Sequence, residues 1–371
     1  MRESGTTFLS WRVGFLLEAV IIAVVLSGAR LVRDVPYTGP RGVDVGGSVM
    51  SVVGMGGIVL GILVWQEGGE AVGALLLLGI AAMCGLAWWL RRRKRAGKPM
   101  LLDPSLFSSA YFRLGVTQQL LQQTALGGTM IVLPIYLQMV LEYNALQAGL
   151  SIAPLSLSMF GVALLAGKRA GRRRPSTLVR WGFALLAIGM AILLPLVPRA
   201  DSGWYLLVPL VITGCGLGLL VSQLNNYTLS PISEERVSEA AGVNSAAGSF
   251  GLSFGLALAG ATMLAALATA FTVAADDSTV LSADQKQQVA TVLDDDAQLM
   301  TNTGLAELLA GQPVPVQEEI LRINSETRPL SLQIALLIPL LAGLLGFANS
   351  FRMARLPDPT PSSSAEGLAL G

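Results

Sequence analysis

The sequence predicts an all-α polytopic membrane protein, and three observations support this fold class. Of the 371 residues, 53% are hydrophobic and only 13% are charged, and the mean hydropathy is +0.61. Soluble domains carry roughly 25% charged residues, so a soluble protein of this composition could not cover its surface with polar groups. Nine apolar runs are long enough to cross a bilayer core as helices, which takes about 20 residues. These predicted spans are residues 13–31, 43–65, 70–90, 114–139, 146–167, 177–198, 204–226, 243–273 and 330–352.

Missing residue types exclude several classes of enzyme. The sequence contains no histidine, which excludes His-based acid–base catalysis, Ser-His-Asp triads and His-ligated metals. Its two cysteines, Cys84 and Cys215, lie in apolar runs and cannot form a zinc cluster. No stretch has the spacing of a phosphate-binding P-loop, so transport by this chain would draw on an ion gradient. We therefore predict no enzyme activity, no cofactor, no metal and no nucleic-acid partner.

The basic residues outside the spans predict an orientation in the plasma membrane. Lysines and arginines number 19 on one side of the spans and 6 on the other, and the richer side of a membrane protein is normally cytoplasmic. This places the C-terminus and residues 91–113 and 168–176 in the cytoplasm, with the N-terminus and residues 274–329 outside. An odd number of spans fits poorly with the paired repeats of transporter folds, so we expect that the chain lacks an earlier portion.

Residues 274–329 form the one long loop of the predicted topology. The loop has ten acidic residues and three basic ones, and its apolar residues recur at helical spacing, which predicts two or three short amphipathic helices in an external cap. The run Asp294-Asp295-Asp296 lacks the spacing of a calcium loop, and we interpret it as a solvated surface. Residues 357–371 are predicted to be a disordered cytoplasmic tail. The apolar residues of the predicted cap are Val289, Val292, Leu293, Leu299, Met300, Leu305, Leu308 and Leu309.

Three stretches follow the order and spacing of a known transporter family. Ser10–Leu17 reads SWRVGFLL, Pro99–Phe107 reads PMLLDPSLF, and Pro134–Pro154 contains PIYLQ followed by YNALQAGL. They resemble, in turn, the start of the sixth span, the segment before the ninth span and the LPLYLQ…GYSPLQAGL signature of the fourteen-span drug:proton antiporters of the major facilitator superfamily. The resemblance covers nearly the whole chain.

This resemblance implies a major facilitator-type helical bundle that contains the sixth to fourteenth spans of the family. Residues 1–34 would be the last helix of an N-terminal bundle, residues 35–98 a connecting pair with a basic cytoplasmic loop, and residues 99–356 the six-helix C-terminal bundle. The first five spans would be absent and supplied in cis or by a second chain. The implied function is proton-coupled export of small amphipathic or drug-like molecules by alternating access. The alternative is a truncated, non-transporting remnant or a regulatory partner of a transporter.

One cytoplasmic loop departs from the family pattern. The segment that contains Gly167, Arg169, Gly171, Arg172 and Arg173 resembles the loop motif G-x-x-x-D-R-x-G-R-R, but it is shorter and has no Asp. In the family, that Asp pairs with charges at helix ends and helps to latch one conformation. The alternative role for this loop is a basic anchor that fixes the neighbouring helices in the membrane.

Ionisable groups within a span are costly and usually functional. Glu18 is the one acid well inside a predicted span, and it replaces part of the Asn-Val-Pro sequence with which the family's sixth-span signature continues. A buried carboxylate of this kind can carry the coupled proton. The alternative is that Glu18 lies near the outer interface and pairs with a polar neighbour.

Amides form two further polar groups within the spans. Gln118, Gln119, Gln122 and Gln123 cover one stripe of a helix, which predicts either the wall of a substrate cavity or hydrogen bonds between helices. A second group, Gln223, Asn225 and Asn226, lies at the cytoplasmic end of its span, where a gate or helix-end role is favoured over substrate contact. We also expect Ser245, Ser249 and Ser253 to share one helix face with Gly248, Gly251 and Gly255, and to hydrogen-bond across helices.

Overall fold

The computed structural model describes residues 11–28, 42, 44–66, 69, 71–168, 174–282, 286 and 302–357. These residues form ten α-helices. A 3-10 helix, Pro104–Ser108, precedes the fourth of them, a π-helical turn, Tyr136–Val140, follows it, and a second 3-10 helix, Gly203–Leu206, precedes the seventh. In chain order the helices are α1 (Trp11–Ser27), α2 (Val45–Gln66), α3 (Val72–Arg95), α4 (Ala110–Ile135), α5 (Ala145–Lys168), α6 (Pro175–Leu196), α7 (Leu207–Leu229), α8 (Glu234–Asp277), α9 (Asn302–Leu308) and α10 (Val314–Met353).

Eight of the described helices are long and apolar enough to cross a membrane, and they correspond to eight of the nine predicted spans. The first predicted span coincides with α1, which is apolar but has 17 residues. Residues Met1–Pro40, which include α1, form one compact unit, and Arg41–Gly371 form another. The prediction of an all-α polytopic membrane protein is confirmed.

Helix α4 lies at the centre of the second unit and packs against α7, α8 and α10. Helix α5 packs on α7, and α6 packs on both α7 and α10. The largest buried cluster lies among these helices, with Tyr136, Phe183 and Leu220 among its fully buried side chains. The α2–α3 pair packs on the outside of α8, where Ile58 and Ile62 meet Ala257.

Small residues allow α4 and α8 to approach each other backbone to backbone. A Cβ atom added to Gly127 would collide with the carbonyl oxygen of Leu252, and one added to Gly255 would collide with that of Thr124. Membrane helices associate largely through such close packing, because lipid supplies no hydrophobic driving force between them. The glycines of α8 therefore face α4.

The ends of the predicted loop 274–329 are helical rather than irregular. Helix α8 continues to Asp277 and α10 begins at Val314, because the extensions bury apolar residues together. A separate apolar cluster joins Phe271 of α8, Leu305 of α9 and Ile320 of α10. The cap residues Val289, Val292, Leu293, Leu299 and Met300, the Asp294-Asp295-Asp296 run and tail residues 358–371 lie outside the described part of the chain.

A buried carboxylate connects the α2–α3 pair to the six helices that follow. Asp44 is 3% exposed, and it accepts hydrogen bonds from the backbone N–H of Gly47 (2.9 Å), the indole of Trp89 (3.1 Å) and the backbone N–H of Leu101 (3.1 Å). The guanidinium of Arg93 lies 3.2 Å from the same carboxylate. Burial raises the pKa of Asp44, but these bonds and the arginine outweigh burial and lower it. Asp44 thus ties together the start of α2, the end of α3 and the segment that leads into α4.

A second acidic residue joins the same segment to α8. Asp103 accepts a hydrogen bond from Lys94 at 2.8 Å, and its backbone N–H donates to Glu239. Arg236 lies 3.5 Å from the Asp103 carboxylate and donates to the hydroxyl of Ser105 at 3.1 Å. Burial raises the pKa of Asp103, but the bonds from Lys94 and Ser105 outweigh it and hold the pKa at about 2. We call Asp44 and Asp103, with these partners, the basic-end junction.

We predict that Asp44→Ala destabilises the protein more than Asp103→Ala does. Removing Asp44 leaves Arg93 without its buried partner, which costs about 3–5 kcal/mol, whereas Asp103 pairs at a partly exposed site where a bridge contributes about 1 kcal/mol or less. Thermal unfolding of the purified protein, followed by circular dichroism, measures both. An equal loss of thermal stability in the two variants would show that burial of the carboxylate does not decide its contribution.

The contribution of Asp44 and Asp103 to the free energy of unfolding depends on pH, and the same variants measure it. Both carboxyls have lowered pKa values in the folded protein. Their contribution to stability is therefore complete above the unfolded pKa of about 4, and it is lost only as the pH falls through the folded value. The stability difference between the natural chain and either variant should stay constant from about pH 6 to pH 8.

Candidate functional site

The four predicted glutamines of α4 face two different helices. Gln118 is fully buried and Gln122 is 2% exposed. The side-chain amide of Gln118 donates a hydrogen bond to the backbone carbonyl of Gly346 in α10, at 3.0 Å. Gln118 therefore makes an inter-helix bond, which is one of the two roles that the sequence left open.

The other two glutamines lie against α8 and are half-buried. A Cβ atom on Gly248 would lie 3.1 Å from the amide nitrogen of Gln119, and one on Gly251 would lie 3.3 Å from the Cβ of Gln123. The glycines of α8 leave the room that these two side chains occupy. A cavity role for the glutamines stays a prediction.

Three of the glutamine oxygens have no donor within the described structure. The side-chain oxygens of Gln118, Gln122 and Gln123 are buried without a hydrogen-bond partner. A buried acceptor that is left unpaired costs about 1–3 kcal/mol. Helix α4 therefore carries more amide groups than packing against α8 and α10 alone requires.

The second predicted amide group divides in a similar way. Gln223 is buried and donates to its neighbour Ser222 at 3.3 Å, and Asn226 accepts from the hydroxyl of Ser230 at 2.7 Å. Asn225 is exposed and accepts a 2.7 Å hydrogen bond from Asn244 of α8. This hydrogen bond between two side-chain amides joins α7 to α8 near the ends that lie on the side richer in Lys and Arg.

The serines of α8 do not lie where we expected them. Ser245, Ser249 and Ser253 are all exposed, whereas Gly248, Gly251 and Gly255 face α4. Successive helical residues turn by about 100°, so serines four residues apart follow one another along a face that the glycines do not share. The expectation of a common face was wrong because the glycines, not the serines, make the close contact with α4. We call these three residues the serine stripe.

The serine stripe lies at membrane depth. Glu239 bonds to Asp103, which in turn pairs with Lys94 at the end of α3, so α8 enters the membrane within a few residues after Glu239. The face of α8 that packs on α2 contains Phe254 and Ala257, and the serines point away from it. An exposed polar stripe at this depth is unsuited to lipid. Asn244, which bonds to Asn225, is buried on a different side of α8.

A largely apolar cavity of about 540 Å³ lies at the other end of the bundle, between the starts of α5 and α7. Pro154, Leu157 and Leu207 contribute to its wall. The hydroxyl of Tyr143 accepts a 3.1 Å hydrogen bond from the backbone N–H of Gly203 at its edge. Ligand sites in proteins typically measure about 300–1,000 Å³, so this cavity is large enough for a small molecule.

The remaining predicted residues lie in other parts of the chain. Glu18 lies in α1, within the separate N-terminal unit, and its side chain is exposed. Gly167 is exposed at the end of α5, and Arg169, Gly171, Arg172 and Arg173 lie outside the described residues. Within the described part of the chain, no group of three or more acidic or cysteine side chains could hold a metal ion.

The sequence also matches a known family. A profile of the Major Facilitator Superfamily aligns with residues 5–256 of the chain. The chain belongs to the major facilitator superfamily. Its helical architecture, with eight membrane-length helices among the described residues, agrees with this membership.

Relatives of this superfamily protein are named as drug or antibiotic transporters and resistance proteins. The chain is 26% identical over 273 residues to the "Probable actinorhodin transporter" of Streptomyces coelicolor, covering 72% of this chain and 47% of the relative. It is 27% identical to "Multidrug resistance protein Stp" of Mycobacterium tuberculosis, covering 61% and 41% respectively. It is 27% identical to "Quinolone resistance protein NorB" of Staphylococcus aureus, covering 69% and 55%. The chain thus spans about half the length of the curated relatives that it matches.

Sequence reasoning missed the basic-end junction and Asn244. Asn244 is the second residue of the predicted span 243–273, and an amide at that position was a usable signal. Asp44 and Asp103 were harder to identify, because each has a partner that is distant in sequence, Trp89 at 45 residues from Asp44 and Glu239 at 136 residues from Asp103. The bond between Asn225 and Asn244 is the contact that gives the predicted helix-end amide a defined partner.

We predict that the serine stripe faces water. In a chain whose Cys84 and Cys215 are replaced by alanine, Ser249→Cys should react with a water-soluble thiol reagent at least about tenfold faster than Leu344→Cys, because thiolate forms only where water is present. Leu344 is the control, since it is an exposed apolar residue of α10. Equally slow reaction at both positions would show that the stripe faces lipid or protein.

Proposed function

We propose that this protein is part of a secondary active exporter of small amphipathic or drug-like molecules in the plasma membrane, and not an enzyme. The observation that carries the proposal is the serine stripe, three exposed polar residues of α8 in a helical bundle of the major facilitator type. The names of the relatives, which include a multidrug and a quinolone resistance protein, support this substrate class. The apolar cavity near Tyr143 suits the apolar part of such a molecule.

We further propose that the chain corresponds to the sixth to fourteenth spans of a fourteen-span transporter. Residues 1–34 would end the N-terminal bundle, residues 35–98 would be the connecting pair, and residues 99–356 would form the C-terminal bundle. Five earlier spans would then be supplied in cis or by a second chain. The chain's coverage of about half of each relative supports this arrangement.

The proposed mechanism is alternating access driven by protons. Two bundles would rock about a cavity at their interface, with the serine stripe, the Asn225–Asn244 bond and the half-buried Gln119 and Gln123 on the wall of the C-terminal bundle. Glu18 is proposed as the proton-carrying carboxylate, because the sequence places no other acid in the middle of a predicted span. The basic loop at residues 167–174 would anchor helices on the cytoplasmic side.

A second candidate is a non-transporting remnant or a regulatory partner of a transporter. The partial coverage of the relatives favours it. Growth of a drug-sensitive host in a panel of toxic compounds distinguishes the two candidates. Tolerance gained when the chain is expressed together with five upstream spans supports an exporter, and unchanged sensitivity despite normal membrane levels supports a remnant.

Export measurements also separate cavity residues from packing residues. We predict that Gln119→Leu lowers export at normal membrane levels, because it removes an amide from the proposed wall. Its matched control, Gln118→Leu, removes the bond to Gly346 and should mainly lower the unfolding temperature. If Gln119→Leu leaves export unchanged and only reduces stability, the glutamines pack helices and the cavity role is wrong.

The proposed orientation has its own test. In intact cells, an impermeant thiol reagent should label Thr279→Cys beyond α8 but not Ser108→Cys, which precedes α4 at the basic end, and both residues are exposed. The reason is that cytoplasmic loops carry the excess of Lys and Arg. Labelling of Ser108→Cys alone would reverse the orientation.

A further inference from the structure

The end of α3 projects beyond the hydrocarbon core of the bilayer. Helix α3 has 24 residues, which span about 36 Å at ~1.5 Å per residue, against a core of about 30 Å. The apolar part runs from Val72 to Leu90, so the five residues after Leu90 lie at the depth of the lipid headgroups. Trp88, just below them, is 58% exposed, as expected for an aromatic residue at the membrane interface.

The basic side chains at the end of α3 point to different sides of the helix. Arg93 turns toward Asp44, and Lys94 turns toward Asp103. Arg91, Arg92 and Arg95 follow Trp88 at positions i+3, i+4 and i+7, which places these four residues within an arc of about 100° on another side of the helix. We call Trp88, Arg91, Arg92 and Arg95 the α3 basic stripe.

The stripe is exposed, and its charges have no acidic partner among the described residues. All four of its residues are exposed, and within the described residues none of its arginines forms an ion pair, in contrast to Arg93 and Lys94. The guanidinium of Arg92 lies 5.4 Å from the ring centroid of Trp88, which holds the side chain along the helix. Three arginines on one face, without an ion pair in the described part of the chain, would suit an anionic partner.

The surface below the stripe shows what kind of partner fits. Leu77, which is 71% exposed, and Cys84, which is also exposed, lie on the same side of α3 as Trp88, at spacings that the helical repeat brings into line. The face is therefore apolar within the membrane and cationic at headgroup depth. A phospholipid with an anionic headgroup has the complementary arrangement, because its acyl chain would lie along Leu77 and its phosphate would meet the arginines.

We propose that the α3 basic stripe is a binding site for an anionic phospholipid, held by its phosphate and its acyl chain together. Arginine suits the headgroup because its planar guanidinium can donate two parallel hydrogen bonds to phosphate oxygens. Clusters of basic residues at the membrane surface attract anionic lipids in this way. The face of α3 that carries Arg93 stays committed to the basic-end junction, so lipid binding does not compete with the contacts of Asp44.

Cys84 provides a probe at acyl-chain depth, because it lies about 10 Å along the helix axis from Arg91. A fluorophore on Cys84, with Cys215→Ser, is placed in bilayers that contain phosphatidylglycerol or phosphatidylcholine with brominated chains as quenchers. We expect brominated phosphatidylglycerol to quench about fivefold more effectively than its fraction in the bilayer predicts. Equal quenching by the two lipids would overturn the proposal. The readout needs no transport, so its failure and that of the proposed exporter are distinguishable.

Matched variants locate the preference. R91Q/R92Q/R95Q should abolish the preference for quenching by phosphatidylglycerol. R113Q/R352Q/R355Q should keep that preference, because it removes three exposed arginines elsewhere at the basic end. The charge-preserving variant R91K/R92K/R95K should retain most of the lipid preference. This variant keeps the test valid if the glutamine variant fails to fold. A preference that survives in a folded R91Q/R92Q/R95Q variant would overturn the assignment. Loss of the preference on addition of soluble glycerophosphoglycerol would indicate a site for the free headgroup, and the lipid assignment would be wrong.

Discussion

A polar group that is buried away from water needs hydrogen-bond partners from the protein, and the rest of the structure depends on how the chain meets that constraint. The buried carboxylate of Asp44 meets it fully, with two backbone N–H groups, an indole and a guanidinium. Because these partners come from α2, α3 and the segment before α4, satisfying one carboxylate also fixes the α2–α3 pair on the six helices that follow. The apolar contact of Ile62 with Ala257 then extends this attachment into the membrane.

The same constraint guides the proposed site. Polar groups that pack helices, such as Gln118, find partners on neighbouring backbones. The serine stripe and Asn225 are exposed, and in the proposed exporter water or a polar ligand would cover them in place of lipid. The glycines of α8 make the arrangement possible, because they bring α4 close on one side and leave the other side of α8 to the serines.

The sequence was sufficient to predict the fold class and eight membrane-length helices, because apolar runs of about 20 residues have few alternative structures. It also identified the glutamines of α4 as a feature that needs protein or water around it, because four side-chain amides facing lipid would be unfavourable. It could not show that Gln118 bonds to α10, nor that the glycines of α8 pack on α4, although the helical repeat alone separates the serines of α8 from these glycines. Those facts depend on which helices meet, and contacts such as Asp44 with Trp89 join residues 45 positions apart. The family resemblance supplied an expected helix order but no side-chain partners.

The most direct test of the account is ion-driven flux across a defined bilayer, because its central claim is that this chain provides one of two bundles that close around a shared cavity. Residues 1–371 are reconstituted into vesicles alone, and in parallel with the five upstream spans, and an imposed pH gradient drives a fluorescent amphipathic cation. We expect flux only when both parts are present, and we expect Ser249→Leu to abolish it. Gradient-driven flux from residues 1–371 alone would contradict it.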